Sequence, residues 1–511
     1  MNYGINGSGF FENMTPEAER LFLELIEKGT EITLRIPGGA ISRFTAPSFN
    51  TGGWGITTEK VNKFYETFNN LQSDEDDTSE DKQKWLNRVT NQPNHSYFAD
   101  LLNLHHKIKE LGGKLKVIWV TNILNSTIEE QATAIRWLFN NDINVHAIEI
   151  GNEVYGKYDF DPEKYISDYL QFRGVILSEF SQAKFSIVAG NFSRNDHIHW
   201  NTTLKDGLYD NEYDFVTMHY YLTEAKLPEP FKSLPTEKLS VIADNPSLAS
   251  AADYLADDVN IGTALFQEIN KLYSLFNKPI LITEFSSKPS SAFGNMLVHG
   301  AWLQKQMTGM TLNIAVDTIC IHNGIAPDIF GIISKKRKQD AVDTDMVKRI
   351  GWYTLKFALL PNTINGKFNI PKYVYNLRDT SNSLYVENIF NTSYTGHEIT
   401  GYSFYYVTGN SLFDSPGYIA HMNNTVEPSY NINGMASLSM NANTEHFELP
   451  PFSYGVIIQH FEKVENDIPI IDDDDNMDDD GSYDDIPIID IPTEQDKPWK
   501  RSWRKFIKKF F

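Results

Sequence analysis

The stretch Ala147-Ile148-Glu149-Ile150-Gly151-Asn152-Glu153 decides how this chain is read. An apolar, β-branched run holding one acid is broken by a glycine and followed at once by an amide and a carboxylate. A run of this kind, without polar alternation, reads as a strand covered on both faces. With residues 145–150 as the fourth, eight such segments recur: 3–6, 31–36, 115–121, 145–150, 185–189, 215–219, 280–284 and 318–322. Helical patterns lie between them. Thr15-Pro16-Glu17, for example, opens a helix carrying Leu21, Leu23, Leu25 and Ile26, with Gly29 just past its end. Eight strand-helix units predict an α/β fold, a closed (β/α)8 TIM barrel over residues 1–360, enlarged by insertions beyond the usual ~250 residues. The runner-up is an open doubly wound sheet, but Gly4, Gly7 and Gly9 lack the spacing of its phosphate-binding turn.

On a barrel, the C-terminal ends of the strands meet at one mouth, and polar side chains there are the usual seat of chemistry. The fourth strand ends in Asn152-Glu153 and the seventh in Glu284, so two carboxylates far apart in sequence are brought together. A pair of carboxyl groups about 5–5.5 Å apart is the machinery that hydrolyses a glycosidic bond with retention, and it needs no metal or cofactor. Ionised Glu284 would attack the sugar, with Arg35 nearby to keep it charged. Glu153 would start protonated, its pKa raised by the neighbouring charge of Glu284.

Arg35 either supports Glu284 or braces the barrel mouth. His219 orients Glu284 or touches the sugar, or else is a hydrogen-bonded wall residue. Tyr220 and Tyr221 alternate, so one faces the core, and Tyr221 is taken with the site. Asn122, Trp119, Asn191, His322 and Asn323 fall at or near strand ends; Asn122 and His322 are the first candidates for substrate contacts. Phe44 and Trp54, in the long excursion over residues 37–94, either stack on a sugar ring or pack on their own barrel. His197 and His199 form a superficial metal-like pair without a legible third ligand, so no metal is assigned. The acidic patch at residues 73–81 is read as a solvated loop.

Taken together, Asn152-Glu153 after the fourth strand, Glu284 after the seventh, Arg35 on the second and His219-Tyr220-Tyr221 after the sixth resemble the clan A glycoside hydrolases. The segments Leu34-Arg35-Ile36-Pro37-Gly38-Gly39 and Ile148-Glu149-Ile150-Gly151-Asn152-Glu153-Val154-Tyr155 resemble the arabinofuranosidases of family 51 and their relatives. That resemblance covers residues 1 to about 360. It implies a retaining mechanism with Glu153 as acid/base, Glu284 as nucleophile and Asn152 bonded to the sugar 2-hydroxyl. The seventh strand departs from the family, ending Thr283-Glu284-Phe285-Ser286 where Asp-Glu-Trp is typical, so the clan is implied and the sugar is not. The expected function is a retaining glycoside hydrolase, α-L-arabinofuranosidase-like as the first guess. The alternative is a non-catalytic carbohydrate-binding or structural component of a virion or surface assembly, built on the same barrel.

Composition agrees with a globular protein. The 511 residues include nine Trp, 25 Tyr and 32 Phe, enough aromatic mass to bury a large core. The net charge of −22 repels phosphate backbones and argues against nucleic acid as a partner; a carbohydrate is the expected one. The only cysteine, Cys320, makes an intramolecular disulfide impossible. The first residues lack the basic-then-apolar pattern of a signal peptide, and no apolar run is long enough to span a bilayer. The expected setting is therefore cytoplasmic or particle-associated rather than classically secreted.

Beyond residue 360 the pattern changes to short strands, clearest at 373–377, 384–390, 402–407 and 454–460, which predict a small β-sandwich over residues 361–463. Residues 464–496 hold 14 acidic and no basic side chains and repeat Asp-Ile-Pro-Ile-Ile-Asp at 467–472 and 485–490. They read as a disordered, extended acidic linker, the repeat being either plain linker or a strand for a sheet edge. Residues 497–511 carry seven Lys or Arg and set Trp499, Trp503, Phe506, Ile507 and Phe510 at helical spacing. This basic amphipathic helix either docks on a membrane surface or acidic protein partner, or folds back on its own chain.

Overall fold

Eight parallel strands close on themselves: β1 (Asn2–Asn6), β2 (Glu31–Ile36), β3 (Lys114–Thr121), β4 (Asn144–Ile150), β5 (Phe185–Val188), β6 (Phe215–Leu222), β7 (Ile280–Ser287) and β8 (Val316–Ile321). The computed structural model describes residues 1–48, 53–68, 79–91, 96–155, 160–192, 194–222, 261–287, 297–311, 315–326, 331–335, 346–360, 368–376, 380–390, 397–409, 435–451 and 453–463. The acidic linker with its repeated hexapeptide, the basic tail, and residues 73–78 of the acidic patch lie outside them. The rest of that patch opens the helix Ser79–Asn91.

Strand order follows the chain, and closure comes from β1 pairing with β8, Gly4 opposite Cys320 and Ile5 opposite Ile321. The strands are apolar along their length because both faces are covered. Inside the barrel, Ile118, Ala147, Phe215, Leu281 and Cys320 form one packed cluster. Outside, a much larger core joins the strands to the helices. The helix Pro16–Leu23 shows how local sequence sets an element: Thr15 accepts a bond from the Ala18 amide, and Pro16 occupies the first turn, where a missing N–H costs nothing. The helix Ile350–Leu359 returns to that first helix, Trp352 donating its indole N–H to the Leu21 carbonyl at 2.9 Å.

The excursion after β2 is structured. A 3₁₀ turn (Gly39–Phe44) leads into a hairpin of Thr45–Ser48 and Gly53–Ile56, then the helix Thr58–Phe68. Trp54 is fully buried, stacked on Phe98 and edge-on to Trp119. Phe44 is buried against Phe64, Tyr65 and Trp85. Neither ring has a face open to a sugar, so of the two readings of these aromatics the packed one holds, and Trp54 is removed from the substrate contacts.

After the barrel, antiparallel strands β9 (Phe368–Asn376), β11 (His397–Thr408), β12 (Ala436–Asn441) and β14 (Ser453–Lys463) make a sheet in the order β9-β14-β11-β12. The pair β10 (Asn382–Tyr385) and β13 (His446–Leu449) makes a second. Both sheets contribute to a core around Phe404, Phe447, Leu449 and Ile457. The strand expected at 384–390 stops at Tyr385, where Val386–Ile389 turns helical; β12 and β13 had no clear sequence signal. Among the described residues, no helix is long and apolar enough to cross a membrane.

Candidate active site

Arg35 is the centre of the site. It points inward from β2, is wholly buried, and uses every N–H of its guanidinium. Nε donates to Glu149 Oε2 at 2.9 Å, and Nη2 donates to Glu149 Oε1 and, at 2.7 Å, to Asn152 Oδ1. Nη1 donates to Glu284 Oε1 at 2.7 Å and to Asn6 Oδ1 at 3.2 Å. A bare charge here would be strongly disfavoured, so burial pulls the Arg35 pKa down, but the charges of Glu149 and Glu284 more than offset this and raise it.

Glu284 ends the apolar part of β7. Its second oxygen, Oε2, accepts a bond from the Tyr221 hydroxyl and lies 3.6 Å from Nδ1 of His219. Burial alone would push this carboxyl up. Positive charge at His219, His322 and Arg35 outweighs burial and holds it well below the usual carboxylate range. Asn6 links Arg35 to His322: its oxygen is taken by Arg35, and its NH2 lies 2.6 Å from Nδ1 of His322.

Glu153 follows β4 in a tight turn. Gly151 has φ +84°, and an added Cβ there would lie 2.9 Å from Ile123 Cγ2. Glu153 itself has φ +47°, a left-handed conformation that costs a non-glycine residue about 1–3 kcal/mol and persists only where the surroundings impose it. Its Oε1 lies 3.0 Å from His219 Nδ1. His219 is buried, which lowers its pKa, but the charge of Glu284 and the bond to Glu153 reverse the effect and raise it. Its other nitrogen sits 3.2 Å from the Thr283 hydroxyl.

One carboxylate oxygen from each of Glu153 and Glu284 and one ring nitrogen of His219 lie within 4.8 Å of one another. That spacing is also what a metal would need. The Arg35 guanidinium already bonded to Glu284 puts a fixed cation beside any second one, which opposes metal binding.

The structure thus brings Arg35, Asn152, Glu153, His219, Tyr221, Glu284 and His322 to one mouth. Tyr220 is buried in the outer core. Asn122 is not a substrate contact: its NH2 is spent on the carbonyls of Arg43 and Thr45, and its oxygen accepts from the Asn125 amide. It ties the β3 loop to the excursion. Trp119 is fully buried beside Trp54, and Asn323 bonds the Ser8 carbonyl and the Gly324 amide. The His197 imidazole packs edge-on against Tyr155 at 4.5 Å. Asn6 and Glu149 were not singled out from sequence. The signal for Glu149 was present: a carboxylate inside an apolar barrel strand requires a cationic partner.

No protein-family model and no curated protein sequence matches the chain. Among solved structures it is similar to a family 51 α-L-arabinofuranosidase from Bifidobacterium longum, at 10% identity over 90% of this chain and 95% of that one, with a TM-score of 0.53. A GH51 α-L-arabinofuranosidase from Thermotoga petrophila RKU-1 is 13% identical over 89% of this chain and 95% of that one, with a TM-score of 0.48. The closed barrel and the first of these likenesses give the chain a (β/α)8 barrel fold of the kind that the arabinofuranosidase has. At such identities the likeness is one of fold.

Proposed function

We propose that the chain is a retaining glycoside hydrolase. The observation that carries the reading is the convergence of Glu153 and Glu284, which bring one carboxylate oxygen each within 4.8 Å of the other, the close approach that favours a retaining pair (~5–5.5 Å between carboxyl groups) over an inverting one (~6.5–9.5 Å). Electrostatics support Glu284 as the nucleophile, because Arg35 and Tyr221 both stabilise its ionised form.

In the first step a Glu284 oxygen attacks the anomeric carbon as the bond to the leaving oxygen breaks, and Glu153 gives that oxygen its proton. In the second, water attacks the same carbon, Glu153 takes the water's proton, and the ester to Glu284 breaks. Two inversions leave the configuration unchanged. With its oxygen held by Arg35, Asn152 keeps its NH2 as the group able to donate to a sugar hydroxyl.

Aryl glycosides test the reading, with α-L-arabinofuranosides first because arabinofuranosidases share the fold. Turnover with retained configuration is expected. Glu153→Ala should lose about 10²–10⁴-fold in kcat on substrates with poor leaving groups. Glu284→Ala should be inactive, with azide restoring turnover to a product of inverted configuration. Single variants as fast as the unmodified protein would overturn the assignment.

A further inference from the structure

Glu149 takes no part in the displacement just described, yet it is wholly buried and holds two of the five N–H groups of Arg35. Register explains how it gets there. Arg35 on β2 faces Ile118 of β3, and Glu149 on β4 faces Val120 of the same strand, so both side chains enter the barrel just below its mouth. With Nε and one hydrogen of Nη2 on Glu149, the plane of the guanidinium is set. One N–H is left for Glu284, one for Asn152 and one for Asn6.

We propose that Glu149 is a positioning residue for the double displacement, acting through Arg35: its two-point hold aims a single N–H at the nucleophile and another at Asn152. The inference rests on the reading of Glu284 as nucleophile. An arginine without this hold is free to turn its two-pronged edge onto Glu284, adding a second cationic N–H to a carboxylate that Tyr221 already holds at Oε2, and each further charge-assisted donor makes the carboxylate a weaker nucleophile. Charge points the same way. Glu149 balances Arg35, so the trio keeps one net negative charge, on Glu284. The other groups facing Glu284 are Glu153 from the turn after β4, His219 and Tyr221 from β6, and His322 beyond β8; the buried Tyr155 hydroxyl feels the same charges. Glu149 is bonded to none of these and to Arg35 twice.

The test compares the full chain with Glu149→Gln and Glu149→Asp, using aryl glycoside kinetics over pH and a carboxyl-¹³C NMR titration of Glu284 assigned against Glu284→Gln. Glu149→Gln leaves Arg35 unbalanced. Its kcat should fall about tenfold or more with KM little changed. The acid limb of activity and the Glu284 midpoint should both move down by about half a unit or more. Glu149→Asp keeps the charge but shortens the reach, so the midpoint should stay while kcat falls by a smaller factor. A role in folding alone would reduce the folded fraction, read by circular dichroism, and leave limb and midpoint in place. Should Glu149→Gln fail to fold, Glu149→Asp decides, and an unchanged kcat overturns the proposal. An active unmodified protein whose Glu284 midpoint ignores Glu149→Gln also overturns it while leaving the hydrolase reading intact. A midpoint that moves in a protein that turns over no glycoside overturns the hydrolase reading and leaves the hold of Glu149 on Glu284 standing.

Discussion

Nδ1 of His219 lies 3.0 Å from Oε1 of Glu153, so the imidazole on β6 is bonded to the carboxyl that follows β4. The same nitrogen is 3.6 Å from Glu284, so His219 lies against both acids. Its raised pKa keeps it cationic to a higher pH than a free imidazole, and that charge favours ionised Glu284. His219→Asn removes the charge, so the Glu284 pKa should rise and the acid limb of the pH-rate profile should move up. This is opposite in sign to the shift expected from Glu149→Gln. A limb that does not move would separate His219 from the electrostatics of the nucleophile.

Tyr221 donates its hydroxyl to Glu284, and burial pushes its own pKa far up, so it remains a donor throughout the neutral range. A hydrogen bond to a charged group contributes about 1.5–3 kcal/mol net, so Tyr221→Phe should lower kcat/KM by roughly 10- to 100-fold. The ring would keep its edge contact with His322, so thermal stability should change little. A loss confined to KM would reassign Tyr221 to sugar binding.

At the opposite end of the barrel, Asp317 accepts from Asn2 at 3.1 Å and lies 2.6 Å from Nε2 of His146. Burial raises its pKa, but the bonds from His146, Thr318 and Asn2 prevail and hold it at about 2. A folded pKa below the unfolded value of ~3.9 means the stabilisation is present above pH ~4 and is lost as the pH falls towards 2. Asp317→Asn should therefore cost about 1–2 kcal/mol near neutrality, allowing for partial exposure, and the gap should narrow below pH ~4. Urea melts at a series of pH values check this, and a gap independent of pH would rule out the charge.

Gly4 faces the β2 backbone, and an added Cβ would meet the Thr33 carbonyl oxygen at 2.0 Å. Backbone cannot yield as a side chain can. Gly4→Ala should destabilise by about 1–3 kcal/mol or more by forcing β1 away from β2. A melting temperature equal to that of the unmodified protein would contradict the close approach.

The eight strands were legible because a strand buried on both faces leaves a continuous apolar run, and Glu153 and Glu284 stood out as carboxylates just beyond two such runs. What was less legible depends on contacts between elements. Asn122 has the right place at a strand end, but its fate was set by Arg43 and Thr45 in the preceding excursion. Trp54 could be placed only once the hairpin laid it on Phe98. Asn6 acquires its role through Arg35, and nothing in its own neighbourhood of sequence indicates that. The strand expected at 384–390 misled because apolar residues continue past Tyr385, where the backbone turns helical.

The pairing of β1 with β8 carries a cost during synthesis. Asn2 meets Thr318, so the first strand leaves the ribosome some three hundred residues before its second neighbour exists. Until then the nascent sheet has two open edges, able to pair with other chains, and contacts so distant in sequence form slowly. Translation that stops short of β8 should yield insoluble product, whereas chains ending after the helix Ile350–Leu359 have every strand the barrel needs to close.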